Sequence, residues 1–336
     1  MCAAAWAIGW VTQRSEPAAF DFIAIYASAR LVATGNADAV TDREAIFAVE
    51  RATLPERTIF LNNPNPPALS LLLAPLGALP FDVAYGAMLT LGVAALAASA
   101  FLLAPLAAAD QRLRLFPFAL LAPPSTIALA QGQTTPFILL IVAASLRAPP
   151  VASGALLGLL ALRPQLLPLF ALIALLDRQR RIPFVLVAAT VAVVSLLMVG
   201  PEGVVRYFDL LAPAAAELRP GELSLAALVR RIGVGPFDPA FASLALSAVA
   251  VVVAGVFIVR TRAERRMELA PPATLLAVPH VLLHDAVLAY PTVAARALTT
   301  RTTLVWIVTG LGAVLVHEAG VPVASLWLLA LLVMRR

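Results

Sequence analysis

Residues 178–200 read RQRRIPFVLVAATVAVVSLLMVG. Three arginines, Arg178, Arg180 and Arg181, precede an uncharged apolar run from Ile182 to Gly200. At ~1.5 Å per helical residue that run covers ~28 Å, close to the ~30 Å hydrocarbon core of a bilayer. It predicts a membrane-crossing helix with a basic flank. Further apolar stretches lie on both sides of it, at 67–79, 83–107, 115–130, 134–147, 151–162, 165–177, 238–260, 268–279, 285–298, 302–317 and 321–334. Several are shorter than the ~20 residues a straight crossing needs, and they imply tilted or proline-broken helices covered by their neighbours.

Composition agrees with this reading. Of 336 residues, 61% are hydrophobic and 13% charged, with a mean hydropathy of +0.93. A soluble domain carries about 25% charged residues, so a soluble enzyme, a disordered chain and a two-domain cytosolic protein are excluded. A β-barrel would alternate polar and apolar residues, whereas these stretches are Leu/Ala/Val runs. The expected class is an all-α polytopic membrane protein forming one domain over residues 1–336.

The net charge of +5 comes from 24 basic residues, all of them Arg. They cluster at segment ends with no aromatic interleaving, so they serve membrane orientation and not nucleic acid. Cys2 is the only cysteine, which leaves no disulfide framework and no cysteine-based metal site. Residues 1–12 lack the basic start and cleavage site of a signal peptide and read as part of a first transmembrane helix begun upstream.

Under the positive-inside rule, Arg112/Arg114, Arg147, Arg178/Arg180/Arg181, Arg260/Arg262/Arg265/Arg266, Arg296/Arg301 and Arg335/Arg336 belong on the cytoplasmic side. With 67–79 only dipping into the membrane, about twelve crossings follow by that rule, with both ends inside. The polar oddities then converge on the outer face: a first loop at 13–66, Gln131-Gly132-Gln133, Arg163-Pro164, a second loop at 201–237, and Pro279 to Asp285. Within the first loop, Phe22, Ile25, Tyr26, Ala29 and Val32 recur at helical spacing, as do Ile46, Val49 and Ala52. These predict two amphipathic helices on the membrane surface, separated at Gly35-Asn36.

Several of these polar residues have chemistry to offer. Asp21, between Phe20 and Phe22, reads either as the N-cap of the following helix or as a partly desolvated general base. Arg163 lies between two apolar half-helices and needs an anion, a carboxylate or a route to the headgroups; guanidinium fits phosphate bidentately. His280 and His284 stand four residues apart, on one face if the segment is helical, next to Asp285. With one adjacent carboxylate and no third ligand at motif spacing, phosphate or sugar hydrogen bonding is preferred to metal binding. Gln131 and Gln133 are amides suited to hydroxyl-rich ligands, or part of an ordinary turn.

In order along the chain, these blocks resemble the polyprenyl-phosphate-mannose-dependent α-(1→2)-mannosyltransferases of glycosyltransferase family 87, within the GT-C superfamily. The blocks are Asp21-Phe22 with Tyr26, Ala29-Arg30 and Gly35; Asn65-Pro66-Pro67 with Ala74-Pro75-Leu76 and Leu79-Pro80; Gly132-Gln133; Gly154, Gly158 and Arg163-Pro164-Gln165; Ser224-Leu225 with Arg230-Arg231; and Pro279-His280 with His284-Asp285. Arg163 stands where Lys is more usual, and His284 where Tyr is common.

The resemblance implies a GT-C-like fold in the inner or plasma membrane. It also implies transfer of mannose or another sugar from a polyprenyl phosphate to a glycan or glycolipid acceptor on the extracytoplasmic face. Asp21 would be the base and inversion the outcome, with neither a metal nor another cofactor required. Arg163, His280 and His284 would hold the donor phosphate. Tyr26, Gln131, Gln133, Gln165 and Asp285 would contact sugar or acceptor. A transporter or flippase of lipid-linked sugars would use a similar cavity but usually shows repeated halves, which this chain lacks. A catalytically inactive scaffold of the same fold is the other alternative.

Overall fold

The computed structural model describes residues 21–56, 58–216, 224, 239–278 and 281–296. Among them every regular element is a helix. The chain runs through α1 (Asp21–Ala33), α2 (Arg43–Thr53), α3 (Pro67–Leu72), α4 (Ala74–Gly77), α5 (Phe81–Leu103), α6 (Arg112–Leu121) and α7 (Pro123–Ala130). It continues through α8 (Thr135–Arg147), α9 (Pro150–Gly158), α10 (Leu167–Leu176), α11 (Arg178–Ala216), α12 (Pro239–Arg260), α13 (Ala263–Ala277) and α14 (Tyr290–Arg296), with a 3-10 segment at Leu283–Ala289.

Proline sets many of the breaks. A proline pushes the residue before it out of the helical region, so Pro66, Ala122, Pro149 and Arg163 have ψ of 150°, 145°, 157° and 75°. Each lies just ahead of a new helix or turn that opens on proline. Glycine and aspartate set others. Gly35 (φ 85°) closes α1, with its own N–H donating to Val32 O and that of Asn36 to Leu31 O. Asp42 caps α2 by accepting from the N–H groups of Glu44 and Ala45 at 2.8 and 3.1 Å.

Among the described residues three helices are long and apolar enough to cross a membrane, Phe81–Leu106, Ala109–Ala130 and Arg178–Leu211. Thr135–Arg147, Pro150–Leu162, Pro164–Leu176 and Leu244–Arg260 are shorter apolar helices. The expected count of twelve rests partly on 1–12, 302–317 and 321–334, which lie outside the described residues. The apolar part of Arg178–Leu211 is only 17% buried. Ile182, Leu186 and Leu197 stand open along it, a surface that suits lipid and not water.

Residues 67–79 form two short helices that meet at Leu73, each far too short to span, in keeping with a stretch that only dips into the membrane. Two other expectations about the connections change. The segment after Gly200 (φ 66°) stays helical to Ala216, so the first part of the expected 201–237 loop is a kinked continuation of α11. Helix α1 does not lie with one face free. Phe22 to Ala29 are all buried, because α3, α4 and α5 pack around it. Its aromatic residues join Phe81 and Tyr85, with Tyr26 edge-on to Phe81 at 5.2 Å.

The main core lies among α5, α6, α8, α10, α13 and α14, around Leu96, Phe118, Leu139, Phe170 and Tyr290. Helix α9 reaches α11 more closely than side chains normally allow. A Cβ on Gly154 would lie 2.3 Å from Arg180 O, and one on Gly158 2.7 Å from Phe184 O. Two glycines four residues apart thus let two backbones meet, as in membrane helix pairs. Gly154→Ala is expected to cost about 1–3 kcal/mol by overpacking. Gly86→Ala in α5, where a Cβ would meet open space, is expected to be neutral or mildly stabilising. Thermal unfolding of the two variants in detergent checks the contrast; equal midpoints would refute it.

Candidate functional site

The arginine turns and the polar breaks sit at opposite ends of the helices. Arg112 and Arg114 open α6, whereas α7 ends at Ala130 beside Gln131; Arg147 closes α8, which begins at Thr135. Helix α9 starts near Arg147 and runs towards Arg163, α10 returns to Arg178, and α13 leaves Arg262 to end near Leu282. The breaks at the second end surround one cleft. Its lining includes Asp21, Ala24, Asn62, Asn63, Asn65, Gln133, Arg163, Gln165, Leu282, His284 and Asp285. The space between them is about 490 Å³, open mouth included.

Gln131-Gly132-Gln133 is the hinge of the site. The Gly132 and Gln133 N–H groups donate to Leu129 O and Ala128 O and close α7. Gly132 has φ 59°, and a Cβ there would lie 2.7 Å from that of Phe22. Only glycine fits both the left-handed conformation and the contact. The turn sends the two amides to different partners. Gln133 donates from Nε2 to Asp21 Oδ2, and Gln131 Oε1 lies 2.9 Å from His284 Nδ1.

Asp21 is the first residue of α1, half-buried, with its carboxylate held by Gln133. Across the cleft, Arg163 is 5% exposed and is not alone. Its Nη1 donates to Asp285 Oδ1 at 3.0 Å and to Thr135 Oγ1 at 2.7 Å, and Thr135 donates to the same carboxylate oxygen at 3.1 Å. Asp285 Oδ2 accepts from Leu282 N–H at 3.1 Å. Burial by itself would push the Asp285 carboxyl up. The Arg163 guanidinium, the His284 ring 3.6 Å away and the Leu282 and Thr135 hydrogen bonds outweigh it and hold the group below the usual carboxylate range. The Nε of Arg163 is buried and, among the described residues, has no hydrogen-bond partner.

The cleft thus gathers Asp21, Gln133, Arg163, Gln165, His284 and Asp285, while Gln131 joins it through His284. Tyr26 lies outside it. That ring is in the α1–α5 aromatic core and its hydroxyl donates to Leu79 O at 2.8 Å. His280 lies outside the described residues. Leu282 is extended (φ −101°, ψ 166°), so no continuous helix carries the four-residue spacing to His284. Among the described residues, no three His, Cys, Asp or Glu side chains converge. Asn62, Asn63 and Asn65 line the cleft without any expectation from the sequence. Three amides in four residues of so apolar a chain are the signal that points to them.

The sequence model of glycosyltransferase family 87 matches residues 63–291. No curated protein and no solved structure matches the chain. The matched stretch carries Gln133, Arg163, Gln165, His284 and Asp285 from the cleft, and Asp21 precedes it. With a match over most of its length, apolar helices fit for a bilayer and a polar cleft at one end of them, the chain belongs to glycosyltransferase family 87, a family of membrane glycosyltransferases.

Proposed function

We propose that this glycosyltransferase moves mannose, or another hexose or pentose, from a polyprenyl phosphate to a glycan or glycolipid acceptor at the extracytoplasmic face. One observation carries the reading. A carboxylate and a buried guanidinium with an unused N–H line the same cleft, and these are the two groups an in-line transfer from a lipid phosphate needs. Asp21 takes the proton of the acceptor hydroxyl as its oxygen bonds to the anomeric carbon. The bond from that carbon to the phosphate oxygen breaks, and its electron pair leaves with the phosphate.

Arg163 serves the leaving group. Its Nη1 edge is committed to Asp285 and Thr135, which fixes the plane of the guanidinium, while Nε is left for a phosphate oxygen. The phosphate becomes more negative as the sugar departs, so this contact strengthens towards the transition state. The open apolar flank of α11 supplies a surface for the polyprenyl chain. The arginine turns at the far helix ends support an outward-facing cleft. Neither step calls for a metal.

Asp21→Asn keeps the Gln133 contact but has no basic oxygen. It should lower turnover of decaprenyl-phosphate mannose by ~10²–10⁴. Wild-type turnover by the folded Asn variant would rule Asp21 out as the base.

Arg163→Gln should lose activity and also unfold more easily, by about 3–5 kcal/mol, because Asp285 is left charged and unpaired. Adding Asp285→Asn should restore the melting temperature but not the turnover. Recovery of both would make the pair purely structural. Turnover in EDTA should equal that in magnesium; loss in chelator with recovery on adding a divalent ion would refute the metal-free mechanism.

A further inference from the structure

The Asn62–Asn65 loop holds two amides whose orientation is fixed from inside the protein. Asn62 Nδ2 donates to the backbone carbonyl of Leu210. A carbonyl only accepts, so the NH2 group of Asn62 must face it. Asn65 is fixed through a longer chain that also ends on a backbone carbonyl. Ser28 Oγ donates to Ala24 O at 3.0 Å and accepts from Asn63 Nδ2 at 3.1 Å. That leaves Asn63 Oδ1 to accept from both Asn65 N–H and Asn65 Nδ2, at 3.3 and 2.7 Å. Turning either the Asn63 or the Asn65 amide over would set like groups against each other.

The consequence is an asymmetric surface. One N–H of each NH2 group is used internally, whereas Asn62 Oδ1 and Asn65 Oδ1 are buried and, among the described residues, have no hydrogen-bond partner. Both residues line the cleft, and Asn65 is 6% exposed. Buried acceptors without a donor are costly, and a bound group that donates removes that cost. A phosphodiester offers only acceptors and has no donor for these two oxygens. A sugar ring offers hydroxyl donors.

We infer that Asn62 Oδ1 and Asn65 Oδ1 form a hydrogen-bond acceptor subsite for the ring hydroxyls of a pyranose, an inference resting on the reading of this cleft as a sugar-transfer site. Donor and acceptor sugars share that chemistry. The cleft is thereby sorted: phosphate to the Arg163 side, hydroxyls to the asparagine side. Tyr207 OH, which donates to Pro64 O at 2.9 Å, and the Leu210 carbonyl couple this loop to the continuation of α11 beyond Gly200.

The test uses the full chain in nanodiscs, with EDTA present, and two probe families. One is octyl α-mannoside with its monodeoxy and monodeoxyfluoro analogues, for the acceptor. The other is the same series built into decaprenyl-phosphate mannose, for the donor. Fluorine replaces a hydroxyl in size but cannot donate. In one of the two series, at one or more ring positions, deoxy and fluoro analogues should both bind about tenfold more weakly than the parent. Asn65→Ala or Asn62→Ala should bind the parent more weakly and no longer distinguish it from the analogues at that position. A variant that fails to fold binds nothing and cannot mimic this selective loss, and the series on the unaltered chain needs no variant.

The inference is overturned if fluorine is tolerated at every position in both series. It is equally overturned if both alanine variants keep full discrimination, or if discrimination appears only when a divalent cation replaces EDTA. Absence of transfer from decaprenyl-phosphate mannose together with a selective hydroxyl effect would instead overturn the donor assignment and leave the subsite standing.

Discussion

A guanidinium and a carboxylate 3.0 Å apart, each with 6% of its side chain exposed, tie the break after α9 to the 3-10 segment before α14. The two residues lie 122 positions apart in sequence. Desolvating two charges costs several kcal/mol per ion, and the attraction compensates only when further hydrogen bonds complete the shell. Thr135 and the Leu282 N–H complete most of it. Three chain breaks, at 131–135, 163–165 and 282–285, are thereby locked to one another. Among the described residues the buried Arg163 Nε has no hydrogen-bond partner, and it is the group the proposed mechanism gives to the donor phosphate.

The same economy governs the backbone. In an apolar medium every N–H and C=O freed by a broken helix must be covered by protein or line a polar cavity. Prolines at 123, 150 and 164 interrupt helices that would otherwise run on, and at the first of them the Ser125 hydroxyl donates to the Ala119 carbonyl that Pro123 leaves without an N–H. Breaks therefore accumulate where polar side chains also accumulate. Gly132 adds direction, since its left-handed turn points Gln133 towards Asp21 and brings Gln131 to His284. One tripeptide thus serves both flanks of the cleft.

Much of the fold was legible because its signals are local. Hydropathy marked the apolar helices, proline their interruptions, Gly35 the end of α1, and the periodicity of Ile46, Val49 and Ala52 the amphipathic α2. The short pair α3 and α4 agrees with a stretch that only dips into the membrane. Local signals failed where packing decides. Tyr26 and Phe22 sit at helical spacing like residues of a surface helix, yet α1 is enclosed because α3, α4 and α5 fold over it. Residues 201–216 are polar enough to read as loop, yet they continue α11 and anchor the asparagine loop through Tyr207 and Leu210.

The sequence by itself determined that the chain is all-helical, that it belongs in a bilayer, and which few polar residues an apolar protein must justify. It determined this because hydrophobicity, helix termination and charge placement act over one or two turns of chain. Only the tertiary structure decided who meets whom. Arg163 reads as an isolated charge until Asp285 is brought to it from the far end of the chain. Gln133 reads as a turn residue until Asp21 receives its amide. Asn62 and Asn65 read as a polar loop until Leu210 and Ser28 fix which way their amides face. Pairing of this kind depends on contacts across more than 100 residues or on a chain of hydrogen bonds several members long. No local pattern encodes either.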